Sequence, residues 1–324
     1  MSKTSGVSNV AKAVIVVLFA LSVLVLASRG SLYGHGSLHG RWVSFVTIDA
    51  DPDWSPDGRW IAFDSSRWFG GICLIEPDGT GLRQIFRGNA SNVDWSPDGR
   101  SIAFQGRNGI YVMSRTGGKA RQILRGARFS LPAWAPDGRR LAVVEELPDL
   151  SEAIDVVKAN GRGLHRLLPP YVQRSDPRWS FVAASETEPS WSPDGRQIVV
   201  QAGDGRIVAV DIASAHRRTI AEGGYEPSWS PNGRLIAFQS NSGLWVANAD
   251  GSGGLHELAQ NGGDPSWTPD GHRLVFEATY WRGRYTRRPQ GLTVVNAAGL
   301  ALRKLTFGGS VDDDPSWRGD PLFN

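Results

Sequence analysis

DPDWSPDGRWIAF, residues Asp51–Phe63, returns with small changes as SNVDWSPDGRSIAF, TEPSWSPDGRQIVV and YEPSWSPNGRLIAF, and the five letters at its centre decide the fold. In W-S-P-D-G, Pro presets φ at the first corner of a tight turn, Asp folds its side chain onto the backbone, and Gly accepts positive φ before the next strand begins. Asn232 replaces Asp in WSPNGR, and Asn is the other side chain that suits this corner. Asp57, Asp98, Asp137, Asp194, Asn232 and Asp270 therefore read as turn formers rather than as acids or bases.

After each turn an apolar alternation follows, as in Ile61 and Phe63, Ile102 and Phe104, or Ile236 and Phe238, and period two marks a strand with a buried face. A third strand is legible in GIYVMS and GLWVANADG and a fourth in ARQILRG and LHELAQ. The anchor residues Trp54, Trp95, Trp134, Trp191, Trp229, Trp267 and Trp317 mostly fall about 40 residues apart, the period of a four-stranded propeller blade. Such a blade exposes two apolar faces, so neighbours must stack around an axis. The expectation is an all-β chain, a β-propeller of four-stranded blades. Six complete units begin near Asp51, Asn92, Leu131, Glu188, Glu226 and Asp264. A seventh is left open by DDDPSWRGD, and RWVSFVTI, Arg41–Ile48, reads as an extra strand before the first unit.

The form P-x-W-S-P-D-G-x-x-I-A-F, followed by an aromatic-aliphatic strand and a D-G turn, resembles the TolB-type β-propeller repeat, a WD-like family, over roughly Ile48 to Trp317. The resemblance implies a periplasmic or extracellular propeller of a kind that serves as binding platform, sensor or accessory domain. Only about 20 residues separate the N-terminal apolar run from the first repeat, which leaves no room for the α/β domain preceding the propeller in TolB itself. Participation in a Tol–Pal type system stays open.

That apolar run, Ala13–Ser28, follows Lys3 and Lys12 and ends in small residues. It reads as a secretory signal or, uncleaved, as a membrane anchor. The expected organisation is residues 1–30 as signal or anchor, 31–40 as a Gly-rich linker and 41–324 as propeller. Cleavage after Ala27 would lower the net charge from +3 to +1, and a near-neutral exported body argues against nucleic acid as a partner. The single thiol, Cys73, lies in the apolar GICLIEPDG and reads as a core residue.

Recognisable catalytic motifs are missing. No G-x-S-x-G elbow occurs, and His256-Glu257 is followed by Gln260 where H-E-x-x-H needs its second ligand. The expectation is no enzyme and no cofactor. Oxygen-rich Asp49, Asp51 and Asp53, and Asp312, Asp313 and Asp314, leave a weak opening for calcium.

Two features remain. Three residues before each anchor Trp stand Asp51, Asn92, Leu131, Glu188, Glu226, Asp264 and Asp314. If the Trp strand is innermost, Asp51, Glu188, Glu226, Asp264 and Asp314 ring the channel mouth, where they attract a cation or a basic peptide or else hydrogen-bond their own strand-start loops. Strand alternation also places the long insertions, Glu145–Ala153, Pro169–Glu188 and Thr279–Gln290, as loops on that same face, opposite the W-S-P-D-G turns. Among them TYWRGRYTRRP groups Tyr280, Trp281, Arg282, Arg284, Tyr285 and Arg287, side chains typical of binding hot spots. The expected function is an exported binding module or scaffold that contacts a protein or envelope polymer through this face, and the membrane if the N-terminal segment stays attached. The alternatives are a carbohydrate-active lyase or hydrolase using mouth carboxylates, or a small-ligand sensor.

Overall fold

The computed structural model describes residues 36–38, 41–43, 48–148, 152–171, 188–202, 204–281, 287–299 and 302–306. Six four-stranded antiparallel sheets follow one another in chain order, and within each the strands run from the axis outward. The first blade consists of Asp49–Trp54, Ile61–Ser65, Gly71–Ile75 and Arg83–Arg87. The inner strands of the others are Ala90–Trp95, Phe129–Trp134, Ser190–Trp191, Tyr225–Trp229 and Gly262–Trp267.

Stacking explains why the second strands are apolar on both sides. Ile61, Ala62 and Phe63 are all fully buried, because Phe63 and Ile61 pack toward the sixth blade while Ala62 packs toward the second. Six such inter-blade clusters complete a circle. In the last of them Val275, Leu292 and Leu305 of the sixth blade meet Trp54, Phe63 and Cys73 of the first. Trp54 N donates to Ser266 Oγ at 3.1 Å across the same junction. The ring closes at six blades by direct packing, so a seventh has no place in it; Asp312–Trp317 lies outside the described residues. Cys73 is fully buried at this junction, and burial pushes its thiol up to about 12, consistent with a core role.

The W-S-P-D-G turns form as their sequence predicts, with one more participant. Gly58, Gly99, Gly138, Gly195, Gly233 and Gly271 have φ of 65 to 73°. Asp57 Oδ1 accepts Arg59 N at 3.1 Å. Ser55 Oγ donates to Asp57 Oδ1 at 2.7 Å and accepts Trp60 N at 2.9 Å, tying both ends of the turn. Ser96, Ser192, Ser230 and Thr268 repeat this hydroxyl bridge. The third blade has Ala135 there, and Arg140 Nε bonds Asp137 Oδ2 at 2.8 Å instead.

The extra strand before the first unit forms over Arg41–Val43 and pairs with Gly36–Leu38 in a separate hairpin, since pairing with a near neighbour closes the shorter loop. One sequence expectation changes. The insertion Thr279–Gln290 is largely a hairpin extension. Strands Arg273–Trp281 and Arg287–Asn296 continue their pairing through Thr279↔Pro289, Tyr280↔Arg288 and Trp281↔Arg287, because Thr, Tyr and Trp suit a pleated surface. Glu145 and Glu146 likewise pair with Ala153 and Glu152. Of Pro169–Glu188, the first three residues belong to strand His165–Tyr171 and residues 172–187 lie outside the described set.

Candidate functional site

The chain builds its axial site through a repeated irregularity. In each of five inner strands the ladder register shifts just before the anchor Trp, as between Ala50 and Asp53 or between Gly263 and Ser266. The residue at that bulge adopts left-handed backbone: Asp51, Asn92, Leu131, Glu226 and Asp264 have φ of 48 to 52°. A bulge leaves a residue unpaired and re-aims its side chain. Pro52, Pro132, Pro227 and Pro265 follow directly, and a residue without an amide proton fits an unpaired position. Asp51, Asn92, Leu131, Glu226 and Asp264 thereby line one axial cavity of about 450 Å³, and Glu188, at the corresponding place before the fourth anchor Trp, lines it too. Asp314 lies outside the described residues.

Hydrogen bonds step from blade to blade rather than within a blade. Asp51 Oδ2 accepts Asn92 N at 2.7 Å and Glu226 Oε2 accepts Asp264 N at 2.6 Å. The expectation that each carboxylate serves its own strand start is therefore corrected at these two positions: the partner is the next blade, whose bulged amide has lost its ladder partner. Glu188, Glu226 and Asp264 each offer an oxygen within 4.8 Å of the other two, a spacing able to hold a metal ion.

Behind this tier stand acids that the sequence reading missed. Asp64 occupies the second strand of the first blade and faces Asp51, Glu277 and Asp49. Burial, then the charge of Asp51 and a hydrogen bond shared with it, hold Asp64 well above the usual carboxylate range. Asp264 is raised well above that range by burial first and then by Glu226, Asp51, Glu188 and Glu277. One level further along the channel, Asp53 Oδ2 accepts Trp95 N at 2.7 Å and Asp53 Oδ1 accepts Ser266 Oγ at 2.7 Å. Asp94 Oδ2 accepts Trp134 N at 2.6 Å. Burial raises Asp53 to about 6 against those hydrogen bonds, and it raises Asp94 well above its usual value, with the Asp53 charge adding to the effect. The signal for this level was present in the residue before each Trp, which reads Asp, Asp, Ala, Ser, Ser, Ser around the ring.

Asp49 is buried in an ion pair with Arg67 at 2.9 Å, while Asp51 and Asp53 serve the two axial levels. The Arg67–Phe69 turn that this pair anchors presents Trp68, 51% exposed at φ 47°, on the mouth face. In the sixth-blade hairpin, Tyr280, Trp281 and Arg287 occupy paired strand positions on that face, and Arg282, Arg284 and Tyr285 lie outside the described residues.

The TolB β-propeller domain profile matches residues 35–183. TolB from Acinetobacter baumannii superposes with a TM-score of 0.60 at 16% identity, over 78% of this chain and 62% of that one. The chain has the fold of the TolB β-propeller, and its residues 35–183 match that domain family. It therefore spans less than two thirds of the Acinetobacter TolB chain. This TolB-type propeller is also similar in fold to oligogalacturonate lyase from Vibrio parahaemolyticus, with a TM-score of 0.54 at 12% identity over 81% of this chain and 79% of that one. The gluconolactonase XC5397 of Xanthomonas campestris gives 0.53 at 16% identity, over 72% and 83%. These two neighbours correct the expectation of a chain without enzymatic activity. The same architecture houses a lyase and a gluconolactonase, so a missing G-x-S-x-G or H-E-x-x-H motif excludes those two chemistries and not catalysis. A search of curated protein sequences returns no match. Among the described residues no helix is long and apolar enough to cross a membrane, and Ala13–Ser28 lies outside them.

Proposed function

We propose that this TolB-type propeller is an exported binding module that takes a basic segment of a partner protein into its axial mouth. The observation that carries the reading is the convergence of Glu188, Glu226 and Asp264, with Asp51 beside them, at one end of a shaped cavity. Carboxylates crowded between low-dielectric walls focus a negative potential that draws cations and repels anionic polymers, which favours a protein partner over an acidic envelope polymer. Export rests on the charged and apolar segment before Ser28. Exposed Trp68 and the paired strand positions Tyr280, Trp281 and Arg287 lie on the same face, and this reading extends the rim to Arg282, Arg284 and Tyr285, which lie outside the described residues.

Fluorescence anisotropy with a labelled basic peptide tests this reading. Glu226→Gln keeps an acceptor for the Asp264 amide and removes one charge, so affinity is expected to fall by about 1.5 kcal/mol, roughly tenfold. Trp281→Ala and Arg284→Ala should each weaken a folded partner's binding by about 1–2 kcal/mol if the rim takes part. Arg100→Ala and Arg234→Ala, beside the opposite turns, should leave affinity intact. Loss of binding in the Arg100 and Arg234 variants with retention in Glu226→Gln places the site on the other face.

A further inference from the structure

We propose that the mouth-face rim over the first two blades docks on an anionic lipid surface, with Arg107 and Arg125 on the headgroups and Trp68 at the interface. The inference concerns the rim and is independent of what enters the axial mouth.

Positive charge gathers in this sector. Arg107 lies in the turn between the second and third strands of the second blade, and Arg125 ends that blade's outer strand. The two loops adjoin where Asn108 O accepts Gly126 N at 2.9 Å. Both arginines are exposed, and neither forms an ion pair with a described residue. Arg128 stands beside them with its side chain 57% exposed, although Nε bonds Glu145 at 2.8 Å, and exposed Arg87 ends the outer strand of the first blade. The exposed acids of this face lie elsewhere, Glu146 on the third blade and Asp204 and Glu222 on the fourth. On the opposite face the arginines stand beside turn carboxylates. Arg115 meets Asp57 at 3.7 Å and Arg140 meets Asp137 at 2.8 Å, while Arg100 and Arg196 help to lower Asp98 and Asp194. The axial acids do not cancel the rim, because strands about 4.8 Å apart set the outer strand roughly 14 Å beyond the inner one, farther than the screening length of about 8 Å at physiological salt.

Trp68 is an independent sign. It adopts φ 47° and is 51% exposed, so a bulky side chain sits in backbone that it resists, without the burial that would offset the strain. The turn is nonetheless fixed. Arg67 bonds Asp49 at 2.9 Å, Gly70 N donates to Arg67 O at 2.9 Å, and Gly88 N donates to Gly70 O at 3.1 Å. An indole held out in this way has the amphipathic character that places Trp at the headgroup level of a bilayer.

The path of the chain favours a bilayer over a soluble acidic polymer. The first inner strand, Asp49–Trp54, runs from the mouth toward its W-S-P-D-G turn, so the chain enters the propeller at the mouth face. The apolar run Ala13–Ser28 ends 20 residues before Ile48. Pairing of Gly36 with Val43 folds part of that stretch back on itself, and about a dozen residues are left to span at most about 40 Å. With the apolar run in a membrane, the mouth face is held next to it. Docking through one sector tilts the axis and leaves the mouth open toward the fourth to sixth blades.

The apolar run can hold the full chain on any vesicle, so the test reads the rim locally. Cys73 is buried with its thiol pushed up to about 12, and a thiol-reactive, polarity-sensitive fluorophore therefore labels an introduced cysteine instead. Asn108→Cys places it on the proposed sector, and Lys119→Cys places it on the exposed turn between the third and fourth strands of the same blade, on the opposite face. The full chain is reconstituted in vesicles of phosphatidylcholine or of an equal mixture with phosphatidylglycerol. Emission at position 108 is expected to brighten and move to shorter wavelength in the mixed vesicles alone and to return in high salt, while position 119 stays unchanged. Arg107→Glu with Arg125→Glu should abolish the shift at an unchanged unfolding midpoint, and Trp68→Ala should reduce it. An equal response at the two positions, a response in phosphatidylcholine alone, or no response at position 108 overturns the inference. A shift produced by alginate in solution and not by vesicles also overturns it, and reassigns the sector to an acidic polymer.

Discussion

Gly109→Ala is expected to lower the unfolding free energy by about 3 kcal/mol or more. Gly109 opens the third strand of the second blade with φ 127°, and a Cβ there would collide with the Leu124 carbonyl oxygen on the outer strand. The outer strand bulges between Gln122 and Leu124, which drives that carbonyl inward. Gly71 and Gly243 meet the carbonyls of Phe86 and Ala259 in the same way. Two costs are superposed at Gly109, unfavourable backbone and a backbone clash that no rotamer relieves. Gly118→Ala separates them, because Gly118 has φ 100° and open space around it, so strain alone should cost about 1 kcal/mol. Urea unfolding of the two variants checks the difference; equal losses would remove the close approach from the explanation.

The second large effect is on pH dependence, and it runs opposite to the usual stabilisation by ionised carboxylates. Asp53 is raised to about 6 and Asp94 well above its ordinary value. The folded chain therefore holds these protons more tightly than the unfolded chain, whose carboxyls titrate near 3.9. The stabilisation associated with the two groups is fully present below that value and is lost as pH rises through about 6 for Asp53 and beyond for Asp94. Turn residues such as Asp98 and Asp194 are lowered by their Ser hydroxyl and backbone hydrogen bonds, so their contribution is lost in acid instead. Asp94→Asn keeps an acceptor for Trp134 N and removes the charge facing Asp53. The variant should exceed the parent by about 1 kcal/mol or more at pH 8 and differ little at pH 4, as read from urea midpoints. A variant less stable than the parent at pH 8 contradicts the buried, repelling pair.

Most of the architecture was legible because the blade repeats its chemistry. Turn Pro, Asp and Gly, alternating strands and the anchor Trp each dictate local geometry, and six copies fix the ring. The channel acids Asp51, Glu188, Glu226 and Asp264 were legible from their fixed offset to Trp. Their companions were not, for a physical reason: a one-residue bulge changes which side chains face the axis, and no periodicity of two reveals it. Asp64 and Glu277 follow the last apolar residue of a strand in FDS and FEA, and the alternation by itself gives them no role. The TYWRGRYTRRP segment read as a loop because it is an insertion between second and third strands, whereas its Thr, Tyr and Trp continue the pairing through Trp281↔Arg287.

Both faces of the propeller carry carboxylates, so one measurement locates the ligand without any substitution. A lysine-containing basic peptide bound to the full chain can be coupled to the carboxylates it touches with a zero-length carbodiimide, and the amide bonds mapped by mass spectrometry. Binding at the axial mouth is expected to give cross-links to Glu188, Glu226 or Asp264, suppressed by high salt. Cross-links confined to Asp57, Asp98, Asp194 and Asp270, at the turns of the opposite face, would contradict the account.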